Sequence, residues 1–207
     1  MRDETRKIIS IHQSFEALKS ELIGIESENR ILDNRLIDKS GKTKSHYFFL
    51  SYARDDDYDG KISRIKNILD HELKIIIGKK YDIFQDIKDI NWGENWEKKI
   101  CEKLTIIPFL IPFISPSFFN SHNCCNEIQN FLSIEKSRKR DDLILPIYFI
   151  SIDDLPWGKD KKNIIDKVLE HNYIDLRNIR KIDEASIDFK KSIISLAEQA
   201  KKAINRI

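Results

Sequence analysis

Ile106 to Ile114 is the stretch that most restricts the fold. It carries no charged residue. Near-continuous apolarity over the length of a strand predicts a strand covered on both faces, as in a parallel sheet flanked by helices. The neighbouring patterns agree. Trp96, Ile100 and Leu104 repeat at spacing four before it, and Cys125, Ile128, Phe131 and Leu132 follow helical periodicity after it. Between strand and helix lies the polar stretch Ser115-Pro116-Ser117-Phe118-Phe119-Asn120-Ser121-His122-Asn123-Cys124. Ligands of open α/β sheets sit outside the carboxyl ends of the strands, so this loop is the first place to look for a site. Glu127 follows in the first turns of the helix. At 100° per residue it falls on the flank of the apolar arc, between Ile134 and Phe131. Two readings fit that place: a surface glutamate favoured by the helix N-terminus, or a functional carboxylate partly removed from water.

The alternation continues along the chain. Strands are expected at His46 to Leu50, Tyr81 to Phe84, Ile106 to Ile114, Leu143 to Ile150 and Tyr173 to Leu176. Helices are expected at about Asp59 to Ile76, Glu94 to Leu104, over the segment that carries Glu127 in its first turns and runs to about Lys139, near Lys161 to Glu170 and at about Ser186 to Arg206. Gly78 is a stop signal for the first of these. Strands alternating with helices predict an α/β domain with a parallel sheet wound by right-handed crossovers. The loop at the end of the first strand holds Ser51, Tyr52 and Arg54, then Asp55-Asp56-Asp57. Acidic residues there suit the start of the next helix. Gln85 to Gly93 is a second loop, with Trp92 beside Gly93.

The first forty residues follow a different rule. Ile8, Ile11, Phe15, Leu18, Leu22, Ile25, Asn29, Leu32 and Leu36 alternate spacings of three and four. That is an a/d heptad seam, with Asn29 at an a position, where a buried Asn fixes register and oligomer state. It predicts a coiled-coil helix over residues 1–40 that self-associates. The other reading is an amphipathic helix packed on its own domain. Flanking charges leave the helix orientation open. Asp38 to Lys44 reads as a polar linker to a domain over residues 45–207.

Bulk composition excludes several classes. Thirty-six Lys and Arg against 34 Asp and Glu give a net charge of +2, which calls for neither nucleic acid nor an anionic membrane as partner. Leu104 to Ile114 is too short to span a bilayer, and Met1-Arg2-Asp3-Glu4 has no apolar core behind it, so no secretory signal is expected. Cys101, Cys124 and Cys125 leave one cysteine odd, which fits a reducing, cytoplasmic compartment. The histidines show no ligand spacing with the cysteines, so no metal is expected. Cys124 and Cys125, near a helix start, are redox candidates against a packing role.

Phe49-Leu50-Ser51-Tyr52-Ala53-Arg54, then Ile83-Phe84-Gln85-Asp86 with Asn91-Trp92-Gly93-Glu94-Asn95-Trp96, then Ile114 to Ser121 with Cys124 and Glu127, stand in one order on the expected elements. Together they resemble the TIR (Toll/interleukin receptor) domain in its bacterial form, over roughly Lys44 to Ile207. The resemblance implies a flavodoxin-like sheet of five parallel strands with helices on both faces. For enzymatic members it implies cleavage of NAD at the nicotinamide–ribose bond, to ADP-ribose or a cyclic isomer, in bacterial immune (anti-phage) signalling. For others it implies a scaffold that assembles with further TIR domains. Glu127 matches the catalytic glutamate of the family. At the position four before it many family enzymes carry Trp, and here stands Asn123. Aromatic packing against the nicotinamide then falls to Trp92 or Phe118. Ser51, Tyr52, Arg54, Asp86, Trp92, Phe118 and Asn123 are the substrate-binding candidates. NAD is expected as substrate, with no cofactor. The family also implies that the second loop of one domain, here Gln85 to Gly93, completes the cleft of its neighbour.

The chemistry suits one carboxylate. Loss of nicotinamide makes the ribose anomeric carbon oxocarbenium-like, as in glycoside hydrolysis. A carboxylate near the ribose stabilises that charge. Pyridinium leaves as a neutral base, so no general acid is needed. Arg54 is a candidate for phosphate or base contact, against a surface Arg pairing with Asp55 to Asp57. Ser51 and Tyr52 line the cleft or pack at the strand end, and Asp86 orients the second loop or a ribose.

Overall fold

The computed structural model describes residues 46–78, 82–85, 107–153 and 155–206. The first forty residues, the helix expected at Glu94 to Leu104, Asp86 and Trp92 lie outside the described residues. Five parallel strands form one sheet: β1 (His46–Ser51), β2 (Asp82–Gln85), β3 (Phe109–Ile114), β4 (Ile147–Tyr148) and β5 (Ile174–Asp175), in spatial order β2-β1-β3-β4-β5. The expected five-stranded α/β sheet is therefore present. The order reverses at β1 and β3. With right-handed crossovers, helices before and after that reversal fall on opposite faces. Accordingly α1 (Lys61–Ile77) packs against α5 (Ile187–Ile204), while α3 (His122–Arg138) packs against α4 (Lys159–Leu169). A short α2 (Pro116–Asn120) precedes α3.

The core is aromatic at the centre of the sheet. Phe48 of β1 stacks on Phe109 of β3 at 5.5 Å, and Phe49 meets Phe84 of β2 at 5.6 Å. Every residue of β3 is buried, as its apolar run required. Ile62, Ile65, Leu69 and Leu73 form the buried stripe of α1, at helical spacing. No helix among the described residues is long and apolar enough to cross a membrane.

Three expectations are corrected in detail. The fourth strand, expected over Leu143 to Ile150, pairs regularly at Ile147–Tyr148 and by one isolated bridge at Ile144. Leu110 exchanges hydrogen bonds with Leu143 and Leu145, so Pro112, two residues on, turns the same edge toward the fourth strand. Proline has no N–H to give there, and the ladder is interrupted. The first helix begins at Lys61 rather than Asp59, because Arg54–Asp57 form a 3-10 turn and Gly60 takes φ 74°. Asp57 reaches past that turn and accepts from the N–H groups of Ile62 and Ser63 at 2.7 and 3.1 Å. Finally, the polar stretch after β3 contains α2, capped by Ser115, whose Oγ accepts from the Phe118 N–H at 2.9 Å.

Candidate functional site

A cleft of ≈ 700 Å³ opens at the carboxyl ends of β1 and β3. This is the topological switch point of the sheet, where the connections diverge and leave a crevice. Its size is ordinary for a small-molecule pocket, which runs about 300–1,000 Å³. One wall is the end of β1 and its loop, with Ser51, Tyr52, Arg54 and Asp55. The other is the corner between α2 and α3, with Ser117, Asn120, Ser121 and Asn123. Cys124 and Glu127 also line it.

Glu127 is 6% exposed. It shares the buried face of α3 with Cys124, Ile128, Phe131 and Glu135. It is therefore not a solvated surface glutamate. Ser51, 2% exposed at the end of β1, donates its hydroxyl to Glu127 Oε2. Ser121 caps α3, its Oγ accepting from the Cys124 N–H at 3.4 Å. That cap sets where the helix starts, and so which of its residues reach the cleft.

The three aspartates after β1 have separate tasks. Asp57 caps α1. Asp56 accepts from the Ser115 hydroxyl and so ties the β1 loop to the start of α2. Asp55 lines the cleft. Arg54 is exposed, lines the cleft, and has no hydrogen-bond or ion-pair partner among the described residues. Of its two readings, the pairing with Asp55 to Asp57 is not seen among the described residues.

Of the sequence candidates, Ser51, Tyr52, Arg54, Asn123 and Glu127 meet in this cleft. Phe118 does not. Its ring is fully buried, edge-on to Phe119 at 5.3 Å, because α2 turns that side into the core. Phe118 is therefore no aromatic partner for a ligand. Asn123 is exposed at the cleft. Of the two readings of Cys124, burial favours packing over redox chemistry. Burial pushes its thiol up to about 11; the neighbouring hydroxyls of Ser121 and Ser51 oppose this, and the charge of Glu127 adds to it. That burial disfavours the thiolate a redox cysteine needs. Asn120 and Ser121 line the cleft without having been singled out. Their place after a buried strand, with a Ser-Pro pair opening a helical turn, is the signal that marks them.

A family model described as TIR domain matches residues 48–191. No curated protein matches the chain. Among solved structures, the chain is similar to the TIR domains of the activated Roq1 resistosome directly recognizing the pathogen effector XopQ. The identity is 18% and the TM-score 0.55, covering 75% of this chain and 99% of that one. At that identity the likeness bears on the fold.

Proposed function

The chain belongs to the TIR domain family, and on that premise we propose that it cleaves NAD at the nicotinamide–ribose bond, with Glu127 as the catalytic carboxylate. The observation that supports this reading is the place of Glu127: buried, held by Ser51, and lining the cleft at the switch point of the sheet. A carboxylate so held faces a developing positive charge without having to shed a water shell at the moment of reaction.

In the proposed step the ribose lies against Glu127. The bond between the anomeric carbon and the pyridinium nitrogen breaks, and its electron pair leaves with neutral nicotinamide. Positive charge then grows on the ribose ring, beside the carboxylate. Water attacks the anomeric carbon, its proton passes to solvent, and ADP-ribose forms. Attack by the substrate's own adenine or ribose in place of water gives a cyclic isomer. Arg54 is assigned to the diphosphate, Tyr52 and Asn123 to the cleft wall. Asp86 and Trp92 keep the roles the family implies, in the second loop. No cofactor or metal takes part.

Assembly belongs to the same proposal. The Roq1 TIR domains belong to an activated resistosome. By analogy, TIR–TIR contact and the heptad seam of residues 1–40 would bring second loops to neighbouring clefts. The free Cys124 and Cys125 fit a cytoplasmic setting, and bacterial immune signalling is the role proposed. A second reading, a scaffold without chemistry, is favoured by Asn123 where many family enzymes hold Trp. Incubation with NAD and a chromatographic trace separates the two. The enzyme releases nicotinamide; the scaffold leaves NAD intact.

A further inference from the structure

Asn120 closes α2 and lines the cleft on the wall facing the β1 loop. Its side-chain Oδ1 accepts from Lys161 Nζ at 2.6 Å. Lysine has three donors and no acceptor, so the oxygen of the amide must face it. This fixes which way the amide points, a choice that Asn alone leaves open. The two N–H donors of Nδ2 are left, and among the described residues they have no partner. Lys161 is itself held in place. It comes from the first turn of α4, with Nζ 5.9 Å from the centre of the Trp157 ring, and Trp157 is anchored by its indole N–H to the Ile152 carbonyl at 3.1 Å. Cationic groups therefore stand on both sides of the cleft, Arg54 beside Asp55 on one wall and Lys161 bonded to Asn120 on the other, with the Glu127 carboxylate also lining it. An anionic group is drawn to the Asn120–Lys161 side, clear of Asp55 and Glu127, and a cationic one to Glu127.

We infer that Asn120, oriented by Lys161, is a substrate-positioning residue that donates to a phosphate oxygen of the dinucleotide. This rests on the NAD-cleaving reading and adds to it the element that selects a phosphate-bearing substrate. Positioning of the diphosphate contributes to binding in ground and transition states alike, so its loss appears in KM rather than in kcat.

The test is steady-state cleavage of NAD by the full chain and four variants. Asn120→Asp keeps an acceptor for Lys161 and replaces the donors with a second oxygen. Asn120→Ala removes both. Lys161→Gln removes the charge, and Lys161→Arg retains it. Asn120→Asp, Asn120→Ala and Lys161→Gln are each expected to raise KM roughly tenfold with kcat within about twofold, the scale of a lost hydrogen bond to a charged group. Lys161→Arg stays near the starting KM. KM of the unaltered chain rises with ionic strength, and less steeply for Lys161→Gln. Wild-type KM in Asn120→Asp and Lys161→Gln, or a fall confined to kcat, overturns the inference. An unaltered chain that leaves NAD intact overturns instead the reading on which it rests.

Discussion

Ser51 and Glu127 lie 76 positions apart in the chain and meet side chain to side chain, the serine hydroxyl donating to the carboxylate. The contact spans the switch point of the sheet, because Ser51 ends β1 and Glu127 belongs to the helix that follows β3. It makes the register of those two neighbouring strands part of the site. Ser51 pairs with Pro112 across the β1–β3 ladder, so a shift of either strand would move the donor away from the acid. Replacement of Ser51 by Ala is expected to lower kcat about tenfold or more with little change in KM, since a hydrogen bond to a charged group is worth about 1.5–3 kcal/mol. Ser51→Thr retains the hydroxyl and most of the rate. Steady-state kinetics on NAD check both; equal kcat for all three chains would remove the positioning role.

Asp57→Ala removes the acceptor for two N–H groups at the start of α1. The expected cost is about 1–2 kcal/mol of stability. Denaturant unfolding at constant slope measures it. A variant as stable as the parent would show that the 3-10 turn and Gly60 alone fix the helix start.

The pair Glu135–His171 gives stability a pH dependence. Glu135 is 4% exposed and accepts from the N–H groups of Leu143 and Ile144 at 2.7 and 3.2 Å. His171 sets Nε2 3.1 Å from Glu135 Oε2 and Nδ1 3.1 Å from the Lys167 carbonyl. Burial lowers the imidazole value, but the Glu135 hydrogen bond and charge, with the carbonyls at Lys167 and Val168, hold it above the ordinary 6.5. A folded-state value above the unfolded one gives a stabilisation that is full below 6.5 and is lost as pH rises through the folded value. The stability gap between the chain and His171→Gln should therefore shrink with rising pH. A gap that widens instead contradicts the charged pair.

Cys124, with its thiol pushed up to about 11 chiefly by burial, should resist alkylation in the folded chain at neutral pH. Mass spectrometry after iodoacetamide treatment, native against unfolded, reads this directly. Rapid native modification would require a thiolate that the site does not favour.

Deleting residues 1–40 should lower the association state and change specific activity at dilute enzyme. Light scattering beside NAD turnover over a dilution series checks this. If the truncated chain matches the full one in mass and activity at every concentration, the heptad seam serves another purpose.

The sheet was legible because its central strand cannot be anything else. A run such as Ile106 to Ile114 between two helical periodicities needs cover on both faces, and the structure buries all of β3. The place of the cleft was legible for the same reason, since Ser51, Arg54, Asn123 and Glu127, which line it, stand after buried strands. Contacts between distant residues were not. Periodicity put Glu127 on a flank, and the Ser51 hydroxyl that holds it comes from another strand. Phe118 read as a loop aromatic, and a five-residue helix buries it. The Lys161–Asn120 contact joins α4 to α2, a pairing that no spacing in the sequence encodes.

In the proposed reaction the charge of Glu127 drives loss of nicotinamide. Glu127→Gln keeps the shape of the side chain and an acceptor for Ser51 but removes the charge. The most direct measurement is nicotinamide release from NAD by this variant and by the unaltered chain, each first shown by circular dichroism to be folded. The unaltered chain is expected to release nicotinamide, and Glu127→Gln to release it at least about a hundredfold more slowly. Equal release by the two folded proteins would contradict it.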